Sequence, residues 1–417
     1  MSAARGQFLW YAAGAGAWFL SMGIQGVVVT WLAAIVLHES GRNVGFVQLS
    51  TMLPSLMFLL VGGTLADRRD PRALLIKLNL MAIVPVSLML TALATDLLTY
   101  GNLLVMVAMF GTLTAFVIPT RDTMLTHVSH GPIQRSATIM TMMQFGGQMV
   151  GIALAGEADR LGGPPLMMVQ IALLLFGTFC LTRLQPMPGA QPSADRPRAL
   201  DDVKEGLKQV MKQSQIRTIT LFTVAGGIFY MGTYMVGLPL MVRDIYGGEA
   251  REISWIQMAF MGGTVLGGLV IITLGPVRRP GQVMMATMML SAVIMSFVAQ
   301  GYSFAVTLGL ILIWGMSAGM SMPLTRSIIQ LGAPPQHRAK MLAIFQMTFM
   351  GAAPLGSIIM GIAADEVGIL HALYIPPVAG SLVVLVAIAS GALWPMTMPE
   401  PQDQPSPQDH PSPQGQG

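Results

Sequence analysis

Gly62-Gly63-Thr64-Leu65-Ala66-Asp67-Arg68-Arg69-Asp70-Pro71-Arg72 crowds two acids and three arginines into one short loop of a chain that is only 10% charged. The runs on either side, 44–66 and 74–95, are almost wholly apolar. Each has the length of about 20 residues that spans roughly 30 Å of hydrocarbon. A charged hairpin between two such runs reads as a membrane-surface turn. The two helices it joins both cross the lipid.

The rest of the chain repeats this pattern. Of its 417 residues 53% are hydrophobic, whereas a soluble globular protein carries about 25% charged residues. These charges are too few for a solvated shell. Apolar runs predict spans at 8–37, 44–66, 74–95, 101–120, 136–157 and 165–184, then at 217–241, 253–275, 282–300, 303–325, 339–363 and 370–395. The reading is an all-α integral membrane protein of twelve transmembrane helices in two six-helix halves, 1–184 and 217–395. Between them, 185–216 opens with Pro186, Pro188, Pro192 and Pro197, which cannot continue a helix. It then offers an amphipathic segment with Leu200, Val203, Leu207, Val210 and Met211 on one face. The tail 396–417, rich in Pro, Gln and Ser, reads as disordered.

Charge sets the expected orientation. With a cytoplasmic N-terminus, all but Arg42, Arg160, Arg243 and Arg251 of the 23 Lys and Arg fall in inside loops, chain ends or adjoining helix edges. The positive-inside rule then puts both termini in the cytoplasm. The apolar N-terminal segment has no small-residue cleavage site and reads as a first helix rather than a removed signal. Cys180 is the single cysteine, so no disulfide forms within the chain. Gly is abundant (46), as lipid-embedded helix packing favours, and the 36 Met suit permissive surfaces.

The second half echoes the first. Pro119-Thr120-Arg121, Gln134-Arg135-Ser136-Ala137 and Gly156-Glu157-Ala158-Asp159-Arg160-Leu161-Gly162 find counterparts in Pro323-Leu324-Thr325-Arg326, His337-Arg338-Ala339-Lys340 and Ala364-Asp365-Glu366-Val367-Gly368. A parallel duplication of this kind is a transporter architecture with its site between the halves.

The 62–72 loop resembles the signature of the major facilitator superfamily, in which small residues lead into Leu-x-Asp-Arg and further basic residues. Asp70-Pro71 stands where that family commonly has Gly, and the matching loop Gly275–Gly281 has lost its acid. The Pro-x-Arg ending of helix four, the Gln-Arg-Ser-Ala opening of helix five and Lys204-Glu205-Gly206-Leu207 are similar to the branch containing the enterobactin exporter and macrolide-efflux proteins. The resemblance implies the major facilitator fold and a conformational latch from Gly63, Asp67, Arg68, Arg72 and Asp122. In it Gly62 and Gly63 bring helix two against the other half, and Asp122 pairs with Arg72 or Arg68. Gly146, Gly147, Gly151 and Gly156 in helix five are similar to the glycine-rich stretch of exporters, without its usual proline.

In that fold helices one, four, seven and ten line the cavity. They offer Trp18, Ser21 and Gln25, then Thr112, Thr114 and Phe116, then Phe229, Tyr230, Thr233 and Tyr234, and finally Trp314, Ser317 and Met320. Such a wall suits an amphiphilic organic molecule better than a sugar or ion. No ionisable residue is expected near the centre of a span, and Arg121 and Asp122 are placed at the cytoplasmic end of helix four. Glu157, Asp159 and Asp365 at the outer edge are the candidate proton sites.

No Gly-Lys-Ser/Thr phosphate loop and no His or Cys cluster is present, so neither ATP hydrolysis nor a metal is expected. The reading is therefore not an enzyme, and it calls for no cofactor and no nucleic-acid partner. The expectation is a monomeric secondary transporter in a bacterial inner membrane that exports a drug, siderophore or metabolite, with protons as a candidate coupling ion. An importer or lipid flippase of the same fold, or a membrane sensor on a carrier scaffold, stays open.

Overall fold

The computed structural model describes residues 2–129, 133–185, 208, 210–211, 214–275, 277–332, 338–391 and 393–394. Twelve long helices account for most of them. In the first half these are α1 (Ser2–Trp31, prolonged by a π-helical turn at Leu32–Val36), α2 (Gly41–Arg68), α3 (Pro71–Ala94), α4 (Tyr100–Val128), α5 (Ile133–Ala155) and α6 (Gly163–Thr182). The second half has α7 (Ser214–Tyr246), α8 (Ala250–Leu274), α9 (Pro280–Val298), α10 (Phe304–Gly332), α11 (Arg338–Val367) and α12 (Ile375–Ser390). Ten are long and apolar enough to cross a membrane, and α2 and α5 are of comparable length, at 28 and 23 residues. No strand occurs among the described residues. Most of the expected linker helix and all of the tail lie outside them.

The halves are built alike. α1 packs on α5 and α6, α2 on α4, and α3 on α4 and α6; in the second half α7 packs on α11, α8 on α10, and α9 on α10 and α12. Glycines allow several of these approaches. Gly263 and Gly267 of α8 meet the carbonyls of Leu312 and Met316, while Gly315 and Gly319 of α10 meet those of Phe260 and Thr264. Two reciprocal small-xxx-small stripes thus bring backbones together, which in lipid replaces the missing hydrophobic drive. Gly147 and Gly151 do the same for α5 against α1, whereas Gly146 faces open space.

Two local findings differ from the sequence expectation. Gly62 abuts the carbonyl of Ala115 in α4 of its own half, and a Cβ at Gly63 would meet nothing. The glycines that bring α2 to the other half are Gly41, against Gly361, and Gly45, against Ser357. Helix four also runs beyond the expected residue 120 to Val128, because its backbone bonding continues after the apolar run ends. Arg121 and Asp122 therefore lie about two turns inside the helix rather than at its end.

At the Asp70-Pro71 departure, the Asp70 carboxylate accepts the Arg72 amide at 2.9 Å as N-cap of α3, and Pro71 occupies the first turn, where no donor is needed.

Candidate functional site

The two halves meet at the end of the bundle away from the termini, here called the distal end. Gly162 and Gly368 turn the chain after α5 and α11 with φ of 80° in both cases, a left-handed geometry glycine adopts at little cost. Each turn aims an acid at the other half. Asp159 accepts the Ala250 and Arg251 amides, both at 3.0 Å, at the start of α8. Asp365 accepts the Gly41 and Arg42 amides at 2.6 and 2.8 Å at the start of α2. The first amides of a helix lack partners and carry its positive dipole end, so a carboxylate is the matching group. The repeat-related acids thus form two equivalent clasps.

Charged side chains surround them. Glu157 pairs with Arg251 and with Arg160, each at 3.5 Å, and Arg42 stands 3.9 Å from Glu366. Arg243 of α7 donates to the carbonyls of Ala34 (3.3 Å) and Glu39 (2.6 Å) beyond α1. The Glu249 carboxyl is held above the usual carboxylate range because it hydrogen-bonds Asp159, whose charge also faces it. These hydrogen bonds and ion pairs join the halves at this end.

The expected cavity residues fall into separate groups, each within its own half. Tyr230 lies 6.1 Å from Trp314, Trp314 lies 4.6 Å from Phe260, and Phe260 lies 4.7 Å from Tyr234. Phe260, from α8, completes this cluster and was absent from the sequence reading. Two π-helical stretches, Gly226–Met231 and Thr233–Gly237, carry Phe229, Tyr230, Thr233 and Tyr234. Gly227, Gly232 and Gly237 press on Ala352, Gly356 and Met360 of α11. Their spacing of five matches the i→i+5 bonding of a π-helix, a form frequent at functional sites. Ser317 is buried with its hydroxyl on the Ile313 carbonyl, and Met320 is half-buried.

In the first half Trp18 stacks on Phe110, with ring centroids 5.9 Å apart. Ser21 is sealed, with its hydroxyl unpartnered, and Gln25 accepts a 2.7 Å bond from Gln170 of α6. Thr114 is buried on the side of α4 facing α1. Thr112 and Phe116 lie instead on the face shared with exposed Val105 and Met109, where Phe116 packs 6.2 Å from Phe58. The buried charge that the sequence reading missed is Arg121, whose guanidinium carbon lies 5.1 Å from the Trp18 ring centroid and 5.5 Å from that of Phe19.

The expected latch lies at the opposite, proximal end. Arg72 donates to the carbonyls of Leu181 (3.1 Å) and Thr182 (2.7 Å), closing the end of α6 in its own half rather than meeting Asp122. Asp122 is exposed, Gly63 is half-buried, and the side chains of Asp67 and Arg68 lie outside the described residues.

Comparison with known proteins agrees with this architecture. The family model described as Major Facilitator Superfamily matches residues 11–357 and 230–414. The chain is 25% identical over 368 residues to the multidrug efflux pump Tap of Mycobacterium tuberculosis, covering 85% of each chain. It is 22% identical over 360 residues to the staphyloferrin A transporter of Staphylococcus aureus, covering 85% of this chain and 88% of that one. To macrolide efflux protein A of Streptococcus pyogenes it is 22% identical over 217 residues, 51% of each. Among solved structures, the nucleoside transporter NupG superposes with a TM-score of 0.77 at 14% identity, over 92% of this chain and 99% of that one. With its two like-built six-helix halves and this match over most of its length, the chain belongs to the Major Facilitator Superfamily, as a multi-pass membrane transporter of small molecules rather than an enzyme.

Proposed function

We propose that this transporter is a secondary active exporter of small amphiphilic organic compounds, working by alternating access in a bacterial inner membrane. The observation that carries the reading is the pair of matched clasps that join the two halves at one end of the bundle. The distribution of basic residues supports cytoplasmic termini. The distal end is then extracytoplasmic, and the contacts there close the outward side. The names of the efflux-pump relatives support the outward direction.

In this cycle the halves 1–184 and 217–395 rock about the site while 185–216 tethers them. The clasps release as the proximal latch of Gly63, Asp67 and Arg68 engages, with Asp122 near it and Arg72 anchoring the loop. Protons are the candidate coupling ion, with Glu157, Asp159 and Asp365 at the outer edge as the candidate proton sites. One chain holds both halves and acts as a monomer.

Untargeted mass spectrometry of medium and cytoplasm tests the reading, comparing cells making equal amounts of the native chain and of Asp67→Asn. Export is supported by compounds enriched in the medium with the native chain alone. Accumulation inside the cell would reverse the direction. No difference, even with a panel of drugs added, would overturn the carrier reading.

A further inference from the structure

Arg121 is in an unusual position for an arginine of a membrane protein. It is 6% exposed, inside α4, and turned toward the rings of α1 rather than toward the helix end. Basic side chains near a membrane surface usually extend to water, and the arginines of the 62–72 loop already provide that anchor. Among the described residues no carboxylate lies within ion-pair distance of Arg121. Asp122 is its chain neighbour, but adjacent helical residues do not face each other, and Asp122 is exposed. Tyr11 reaches this turn and donates at 2.7 Å, but to the backbone carbonyl of Arg121.

The guanidinium is therefore held by aromatic faces alone. Its Nε is sealed from solvent and has no partner. The two terminal nitrogens have no protein acceptor either, but they are not sealed. Cation–π contact with Trp18 and Phe19 offsets part of the desolvation of a buried charge. It leaves the hydrogen-bonding capacity of the group unused. One turn from Trp18, the Ser21 hydroxyl is likewise buried and unpartnered. A cation with accessible donors beside a half-buried aromatic ring is complementary to one kind of molecule.

We propose that Arg121 is an anion-recognition residue of the transport path, which takes amphiphilic organic acids with the carboxylate on the terminal guanidinium nitrogens and the apolar body against half-buried Phe19. Planar carboxylates match the guanidinium fork in a bidentate manner. The assignment rests on the transporter reading and narrows its substrate.

The test uses the full chain in nanodiscs and three probes of one shape: 1-naphthoate, 1-naphthamide and 1-naphthylmethylamine. Equilibrium dialysis of the native chain should give at least about tenfold tighter binding of the acid than of the amide. Arg121→Gln should erase that preference by weakening acid binding far more than amide binding, and Arg121→Lys should keep part of it. Equal binding of acid and amide by the native chain overturns the proposal, as does failure to bind any probe; neither result depends on the variants folding. A preference that survives Arg121→Gln overturns it too. Vesicle transport of the same probes separates the two readings. Acid-selective binding without movement sinks the transporter reading and leaves Arg121 a ligand residue, whereas movement without acid preference does the reverse.

Discussion

Asp159 and Asp365 each satisfy two backbone amides that the start of a helix leaves open, so each does what an N-cap does, but from the other half of the molecule. Loss of a cap costs about 1 kcal/mol. Asp159→Ala or Asp365→Ala should therefore shift the closed-to-open ratio of the distal end by roughly five- to tenfold, readable as a longer spin-label distance between the distal loops, and the double variant should exceed either single one. Glu249 adds a pH dependence of known sign. Its carboxyl is held above its ordinary value by the hydrogen bond to Asp159, so its protonated form favours the closed clasp. That contribution is full below the ordinary glutamate value, about 4.3, and fades as pH rises through the raised one. Acidifying the distal side from neutral should shorten the same distance, and Glu249→Gln should flatten the response. The ion pairs around the clasp are exposed and each contributes about 0–1 kcal/mol. At this scale the sequence reading located the acids but not their partners, which stand 91 and 324 residues away along the chain. Arg121 was misplaced for a different reason: polar Thr120, Arg121 and Asp122 end the apolar run, while the helix itself does not end there.

Among the elements, the spans were legible because lipid demands long apolar runs, and α1 to α12 follow those runs closely. Their internal geometry was not legible. Hydropathy carries no mark of the π-helical stretches in α7, although Gly227, Gly232 and Gly237 at intervals of five could have announced them. The glycine-rich stretch of α5, read first by its likeness to exporters, has a packing role at Gly147 and Gly151, which seat it on α1. The reciprocal stripes of α8 and α10 make a direct prediction. Gly263→Leu or Gly319→Leu would drive a side chain into the Leu312 or Thr264 backbone, so either should cost several kcal/mol of overpacking and lower the thermal midpoint of the purified protein. Gly262→Leu on the neighbouring open face should leave it unchanged, since a Cβ there meets nothing.

For the whole molecule, alternating access requires the distal contacts to break in every cycle. A Cβ added at Gly156 would lie 3.0 Å from that of Ser254, within reach of a disulfide after a small adjustment. With the one native thiol removed by Cys180→Ala, the pair Gly156→Cys and Ser254→Cys should crosslink under mild oxidation and stop transport, and a reductant should restore it. Transport that continues through the crosslink would mean the distal end does not open. The duplicated plan itself was readable from the matching Asp159 and Asp365 segments, but the exchange of clasps between halves needed coordinates. That exchange bears on biogenesis. During synthesis the first half enters the bilayer with the Gly41 and Arg42 amides of α2 open and with Asp159 lacking its amides. Both vacancies are filled only when the second half arrives and docks, so an orphaned first half carries two unmet polar sites on one face, a mark by which quality control can tell it from a finished carrier.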